Sequence, residues 1–204
     1  MSKYRHRSDA WFDAIVDKLG GEKAADAFLD SEGAVSKPFR SWRKQDGVIR
    51  LSVTSNGMTG EEWNVHLESK GIQVNPWAKR VLWSKDFKPT SGITTNIAIL
   101  TGSLFSDKGR FTAQIRHEAQ QRKLTKPNPE VACLIRQKFT DKEIMAMGVI
   151  SIITMHYPIE DSDRNPSLLA THPLGDARWL GACHGNPTRK WNRDNGFAFA
   201  APPT

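Results

Sequence analysis

The sequence predicts an α+β fold, with helices packed on a small mixed sheet and an irregular β segment at the C-terminal end. Three observations predict it. Ile49, Leu51 and Val53 alternate with Arg50 and Ser52, the period of a half-buried strand. Several later segments open on capping residues and repeat apolar side chains three and four apart, the mark of amphipathic helices. Residues 149–155 are apolar and rich in β-branched side chains, and the run has the length of a central strand. Strands and helices in this succession pack as layers around a core.

The elements follow in chain order. Ser8 is placed to cap a helix over residues 9–19, with Trp11, Ile15 and Leu19 on one face and Gly20-Gly21 as its stop. A second short helix turns Ala24, Ala25, Phe28 and Leu29 inward. Residues 36–47, with Pro38, Arg40, Arg43 and Lys44, form a linker, so 1–46 is a helical appendage with its linker and 47–204 is the main α+β domain. After the strand at 49–53, Thr59 and Glu62 have capping-box spacing, in which hydroxyl and carboxylate satisfy backbone N–H groups at a helix start. That helix buries Trp63 and Leu67 and stops at Gly71. Asn75-Pro76 opens another, with Trp77, Val81 and Trp83 inward. A loop over 84–92 leads to a buried strand at 93–100. A helix after Asp107 carries Phe111, Ile115 and Ala119 on one face and Arg110, Gln114, Arg116, Gln121 and Arg122 on the other. Asn128-Pro129 opens a helix with Val131, Leu134 and Ile135 inward. Thr140 and Glu143 form a second capping box, whose helix ends at Gly148.

Beyond His156 the helical period stops. Pro, Gly, Asn and Asp interrupt short apolar pieces at 168–169, 179–180 and 197–199, which are expected to be short strands joined by ordered loops. Trp179, Trp191, Phe197 and Phe199 are the expected anchors. Between them lie Thr171, His172, Pro173, Leu174, Asp176, Ala182, Cys183, His184, Thr188, Arg189 and Lys190, an assortment without periodicity that suits a binding surface on ordered loops.

Composition bounds the function classes. The 204 residues are 38% hydrophobic and 25% charged, enough to bury a core and within the range of soluble proteins. No apolar run has the length of a membrane span, and no apolar stretch follows the basic residues at the start, so the expectation is a cytoplasmic protein without a membrane partner. Cys133 and Cys183 make no disulfide framework. A net charge of +7 suits contact with a polyanion, and equally a surface with surplus lysine.

Tests for specific chemistry narrow the field. Asp161, Asp163 and Asn165 begin like a calcium loop, but Pro166 stands where the loop needs glycine and no closing glutamate follows, so an Asx-rich turn is the better reading. His156, His172, Cys183 and His184 match no compact zinc spacing, and His156 is expected as a hydrogen-bonded residue at a strand rim. A Cys183 nucleophile needs a histidine brought beside it in space. Residues 138–154 have the outline of a helix-turn-helix, but the run after Gly148 is too apolar for a recognition helix. Phosphate-binding, dinucleotide and hydrolase motifs are absent from the sequence.

From about Gly47 onward the chain resembles a family of uncharacterised proteins from small-genome uncultured bacteria. The segments that carry the resemblance start at Phe87, Pro127, Thr140, Met155, Arg178 and Trp191. The chain departs from that pattern at Tyr157, where an acidic residue is expected, and at Arg164, where glycine is expected. The resemblance implies no activity. The C-terminal end is also similar to the variable proteins of diversity-generating retroelements, whose scaffold is often C-type-lectin-like. That similarity implies a scaffold of Trp179, Trp191, Gly196 and Phe197. It implies diversified positions at His172, Pro173, Leu174, Asp176, Ala182, Cys183, His184, Thr188 and Arg189.

Two functions are expected from these readings. The first is a non-enzymatic binding protein, without cofactor or metal, that meets a partner protein or small ligand through His172, Leu174, Asp176, Trp179, Ala182, His184, Thr188, Lys190 and Trp191. It requires the side chains over 171–190 to form one exposed face. The alternative is a nucleic-acid-binding protein whose basic helices present Arg110, Arg116, Arg122, Arg136 and Lys138 on one positive face.

Overall fold

The computed structural model describes residues 41–160, 164–174 and 177–202, together with Asp13, Ala14, Val16, Asp17, Lys18, Gly21, Glu22 and Lys23. The chain divides into Met1–Ser41 and Trp42–Thr204. In the first unit Asp13, Ala14, Val16, Asp17 and Lys18 are helical, within the first predicted helix. The other residues of that helix named above, and Ala24, Ala25, Phe28 and Leu29, lie outside the described residues.

The second unit starts inside the predicted linker. Trp42–Gln45 (β1) folds back on Val48–Asn56 (β2) as an antiparallel hairpin. Asp46 and Gly47 both adopt positive φ, 49° and 74°, at the hairpin's turn. Asp-Gly suits a two-residue hairpin turn, because Gly pays no Cβ penalty there and Asp tolerates it. The domain boundary therefore falls at 41/42 rather than 46/47.

The remaining elements are α1 (Gly60–Ser69), β3 (Ile72–Val74), α2 (Pro76–Leu82), β4 (Ser91–Thr101), α3 (Thr112–Gln121), α4 (Glu130–Lys138), α5 (Asp141–Ala146), β5 (Ser151–Thr154), β6 (Ile159–Glu160), β7 (Pro166–Leu174), β8 (Ala177–His184) and β9 (Asn195–Ala200). A short 3₁₀ turn, Gly102–Leu104, follows β4. Both capping boxes form as the sequence predicts. Thr59 and Glu62 open α1, and Thr140 and Glu143 open α5, each with the reciprocal pair of hydrogen bonds. Thr140→Ala should therefore destabilise the protein by about 1 kcal/mol, read as a lower urea midpoint at unchanged slope.

The α+β class is as predicted, but the sheet is not small. Nine strands join in the order β1-β2-β4-β9-β5-β7-β8-β3, with β6 on β7. The pairs β5–β9 and β3–β8 are parallel and the others antiparallel. The C-terminal segment supplies the excess. β7 and β8 run for 9 and 8 residues and pair from Ser167–His184 to Leu174–Ala177. The short apolar pieces seen in sequence are only the buried stretches of longer strands. Pro166 starts β7, where its missing N–H removes little from the ladder.

Alternation along these strands builds a core on each face of the sheet. On one face Trp63, Leu67, Val81, Ile135 and Phe139 from the helices meet Ile49, Leu51, Ile99, Ile152, Leu180 and Ala198. On the other, Ile115 and Ala119 of α3 and Trp191 meet Leu100, Ile153, Leu168, Phe197 and Phe199. One predicted core assignment fails. Trp77 and Trp83 are 56% and 55% exposed, because Ala78, Val81 and Leu82 take the inward stripe of the short helix α2.

Candidate ligand cleft

The cleft arises where β5, β7 and β8 meet the segment that leads into β9. In the antiparallel β7–β8 pair, Leu168 opposes Cys183, Ala170 opposes Gly181, and His172 opposes Trp179. These side chains share the α3 side of the sheet. Thr171, Leu180 and Ala182 alternate to the other side, and Leu180 and Ala182 pack with the helix-side core. The His172 ring leans across Gly181 toward Cys183. A Cβ at Gly181 would lie 2.5 Å from His172 Cδ2, so the ring takes this position only over a residue without a side chain.

The segment after β8 folds back because the start of α3 holds it. The first N–H groups of a helix lack intrahelical partners. Here Thr112 N–H donates to Arg189 O at 3.1 Å and Ala113 N–H to Pro187 O at 3.0 Å. Trp191 N–H donates to Arg110 O at 2.8 Å, and Trp191 Nε1–H to Thr112 Oγ1 at 2.9 Å. Arg110 Nε returns a bond to Trp191 O at 3.2 Å, Nη1 donates to Phe105 O at 3.0 Å, and Nη2 pairs with Asp107. Trp191 then packs edge-on against Phe197, with centroids 5.8 Å apart.

These contacts enclose a cleft of about 290 Å³ lined by Ile150, Ser151, Ile153, His172, Pro173, Cys183, Arg189, Lys190, Trp191, Asn192 and Asn195. None of these lining residues is acidic. The Arg189 guanidinium lies 4.5 Å from the Trp191 ring centroid, and its Nε is buried without a partner. On the sheet side a polar chain crosses the cleft. The Ser151 hydroxyl donates to Thr171 O at 2.5 Å, which commits its proton. Its oxygen lies 3.3 Å from His172 Nδ1, and His172 Nε2 lies 3.4 Å from Cys183 Sγ. With the hydroxyl proton committed, Nδ1 carries the imidazole proton, and Nε2 is left as an acceptor facing the thiol. Burial lowers the His172 pKa and the nearby Arg189 charge lowers it further. Burial raises the Cys183 thiol, against a smaller opposing pull from Arg189. The resting pair is therefore neutral imidazole and neutral thiol.

Of the predicted contact residues, the structure brings His172, Lys190 and Trp191 to the cleft. Trp179, Ala182, His184 and Thr188 do not join them, so among the described residues the expectation of one exposed face is corrected. Trp179 is half-buried opposite His172 and does not line the cleft. Ala182 faces the helix-side core, and His184, two residues on, follows the same alternation. Thr188 is exposed on the turn and also lies outside the lining. Thr171 and Leu180 are buried. Trp191 itself is 4% exposed, a wall of the cleft rather than a protruding contact. Asp176 and the Leu174 side chain lie outside the described residues. Sequence reasoning missed Ile150, Ser151, Ile153, Asn192 and Asn195. Ser151 had a signal, as the polar residue inside the apolar run 149–153.

Two of the five candidate nucleic-acid cations, Arg110 and Arg136, are buried. Arg136 is 0% exposed and is bound to Asp141 at 2.5 Å and to Phe139 O at 2.6 Å. Arg110 is buried in the bonds above. Arg116 reaches His156 O at 3.4 Å, Arg122 pairs with Glu118 at 2.7 Å, and Lys138 donates to Ser52 O at 2.8 Å. Each of the five has a partner within the fold, and Arg122 and Lys138 remain exposed. His156 is likewise no rim residue. It is wholly buried, with Nδ1–H donating to Tyr157 O at 2.6 Å and Nε2 accepting from Leu169 N–H at 3.0 Å. Among the described residues no three His, Cys, Asp or Glu side chains gather as a metal site. Asp161 and Asp163 lie outside those residues. No protein family, curated protein or solved structure matches the chain.

Proposed function

We propose that this chain is a non-enzymatic binding protein that holds a small anionic ligand in the cleft formed by its C-terminal segment. One observation carries the reading: cationic Arg189 and Lys190 line a cleft with no acidic residue in its lining. These cations would hold an anionic oxygen through charge-assisted interactions. Asn192, Asn195 and Ser151 add neutral polar groups, and Trp191 gives a rigid apolar wall. No described helix is long and apolar enough to cross a membrane. Both cysteines are free, in keeping with a cytoplasmic location.

His172 reports on this reading. Burial, and to a lesser degree the Arg189 charge, disfavours its protonated form, so its imidazole titrates below the usual 6.5. An anion seated on Arg189 would offset that charge and raise the His172 pKa. Titration of the His172 ring by NMR, with and without inorganic phosphate or acetate, is the test. The expected result is an upward shift with at least one of the two anions, absent in Arg189→Gln. That variant should itself titrate higher than the wild type without any anion. A His172 pKa that neither phosphate nor acetate moves would refute the anion site.

A further inference from the structure

Anion binding does not account for the Ser151–His172–Cys183 chain, whose order is that of an orienting group, a base and a nucleophile. We propose that Cys183 is a stoichiometric thiol–disulfide exchange site, activated by His172, for a small disulfide that bears a carboxylate.

Three features converge. Cys183 is free, partly buried and lines the cleft. His172 Nε2, 3.4 Å from Sγ, is the unprotonated nitrogen, because Nδ1–H is directed to the Ser151 oxygen. Arg189 and Lys190 line the same cleft and would hold an anionic substituent beside the thiol. A neutral imidazole in contact with a neutral thiol implies that the proton moves as the sulfur attacks, rather than before.

Cys183 Sγ forms a bond to the nearer sulfur of the disulfide while His172 Nε2 takes the thiol proton. The reagent's S–S bond breaks, and the departing sulfur leaves with the electron pair as a thiolate. That thiolate then takes the proton from the His172 imidazolium and departs as a thiol. The Cys183 sulfur is oxidised, the departing sulfur is reduced, and the product is a mixed disulfide on Cys183. A second small thiol reverses the reaction. Cys133 takes no part, because it is fully buried in the helix-side core.

The preference for an anionic reagent rests on the function proposed above, whereas activation by His172 does not, and the experiment separates them. The full chain is treated with the dianionic disulfide of thionitrobenzoate and, in parallel, with dicationic cystamine. Intact mass and peptide mapping follow the adduct over time. The expected result is one adduct, on Cys183, formed at least about tenfold faster with the anionic reagent once each rate is divided by that of a free model thiol. Arg189→Gln should remove most of that preference. His172→Gln should slow both reagents by roughly tenfold or more at neutral pH. The deficit should disappear at alkaline pH, where hydroxide ionises the thiol without help. Circular dichroism on each variant checks that it is folded. Equal corrected rates for the two reagents would overturn the anionic preference, and with it weaken the proposed ligand class. A His172→Gln profile parallel to wild type at every pH would overturn the activation. An adduct on Cys133 at a similar rate would show that the chemistry follows local opening rather than the cleft.

Discussion

Trp191→Ala is expected to lower stability by about 3–5 kcal/mol, the usual range for truncating a buried aromatic ring, and to abolish any response of His172 to anions. The ring is 4% exposed within the core on the α3 side and meets Phe197 edge-on. Its Nε1–H bonds Thr112 Oγ1, and the Arg189 guanidinium rests against it. Truncation thus opens a cavity, leaves a buried hydroxyl short of a partner and removes the support of Arg189. Trp191→Phe separates these effects. It keeps an aromatic surface for Phe197 and Arg189 but loses the bond to Thr112, so its loss should be nearer 1–2 kcal/mol, with anion binding retained. Urea unfolding and the His172 titration measure both quantities on the same samples. An alanine variant within about 1 kcal/mol of wild type would show that the segment does not depend on this anchor.

His156 should make the fold acid-sensitive well above the range of its carboxylates. Both ring nitrogens are engaged, one donating to Tyr157 O and the other accepting from Leu169 N–H. Protonation would set a second N–H against the Leu169 N–H inside the core. Burial accordingly lowers the pKa from 6.5 to about 4, with the nearby Arg116 charge acting in the same direction. The sign is fixed by linkage. Between these two values the unfolded chain binds a proton that the folded chain does not, so stability falls as pH falls through that window. The contribution is fully present above about pH 6.5 and lost by about pH 4. At roughly 1.4 kcal/mol per unit it amounts to about 3 kcal/mol. His156→Leu should lose about 1–3 kcal/mol at neutral pH, because Leu169 N–H is left without an acceptor. It should also flatten the dependence between pH 6.5 and 4. A wild-type protein equally stable at both ends of that window would contradict the assignment, and so would a leucine variant with an unchanged slope.

Local signals in the sequence were reliable where the physics is local. Thr59 with Glu62, and Thr140 with Glu143, act across one turn of chain, and both boxes form. The Asp46-Gly47 turn was equally local, but the basic residues around it gave the stretch the look of a linker. Trp77 and Trp83 were misplaced because hydrophobicity alone does not say which side of a short helix meets the sheet. Arg110 and Arg136 look like surface cations in sequence. Their burial follows from Asp107, Asp141 and several backbone carbonyls that face them only in the folded chain.

The C-terminal segment shows the same division most clearly. The α+β class and the capped helices were present in the one-dimensional pattern. What that pattern lacked was the pairing of β7 with β8, which sends His172 and Cys183 to one face and Ala182 to the other. A shift of one residue in that register would reverse every side chain. Ser151 reaches His172 only because β5 lies beside β7, and Arg189 reaches the cleft only because the start of α3 binds the segment before β9. Those contacts join residues up to about eighty positions apart, as Trp191 and Thr112 do. Periodicity decides which elements form. Pairing between distant strands, together with helix-end N–H groups that need acceptors, decides which side chains share a site.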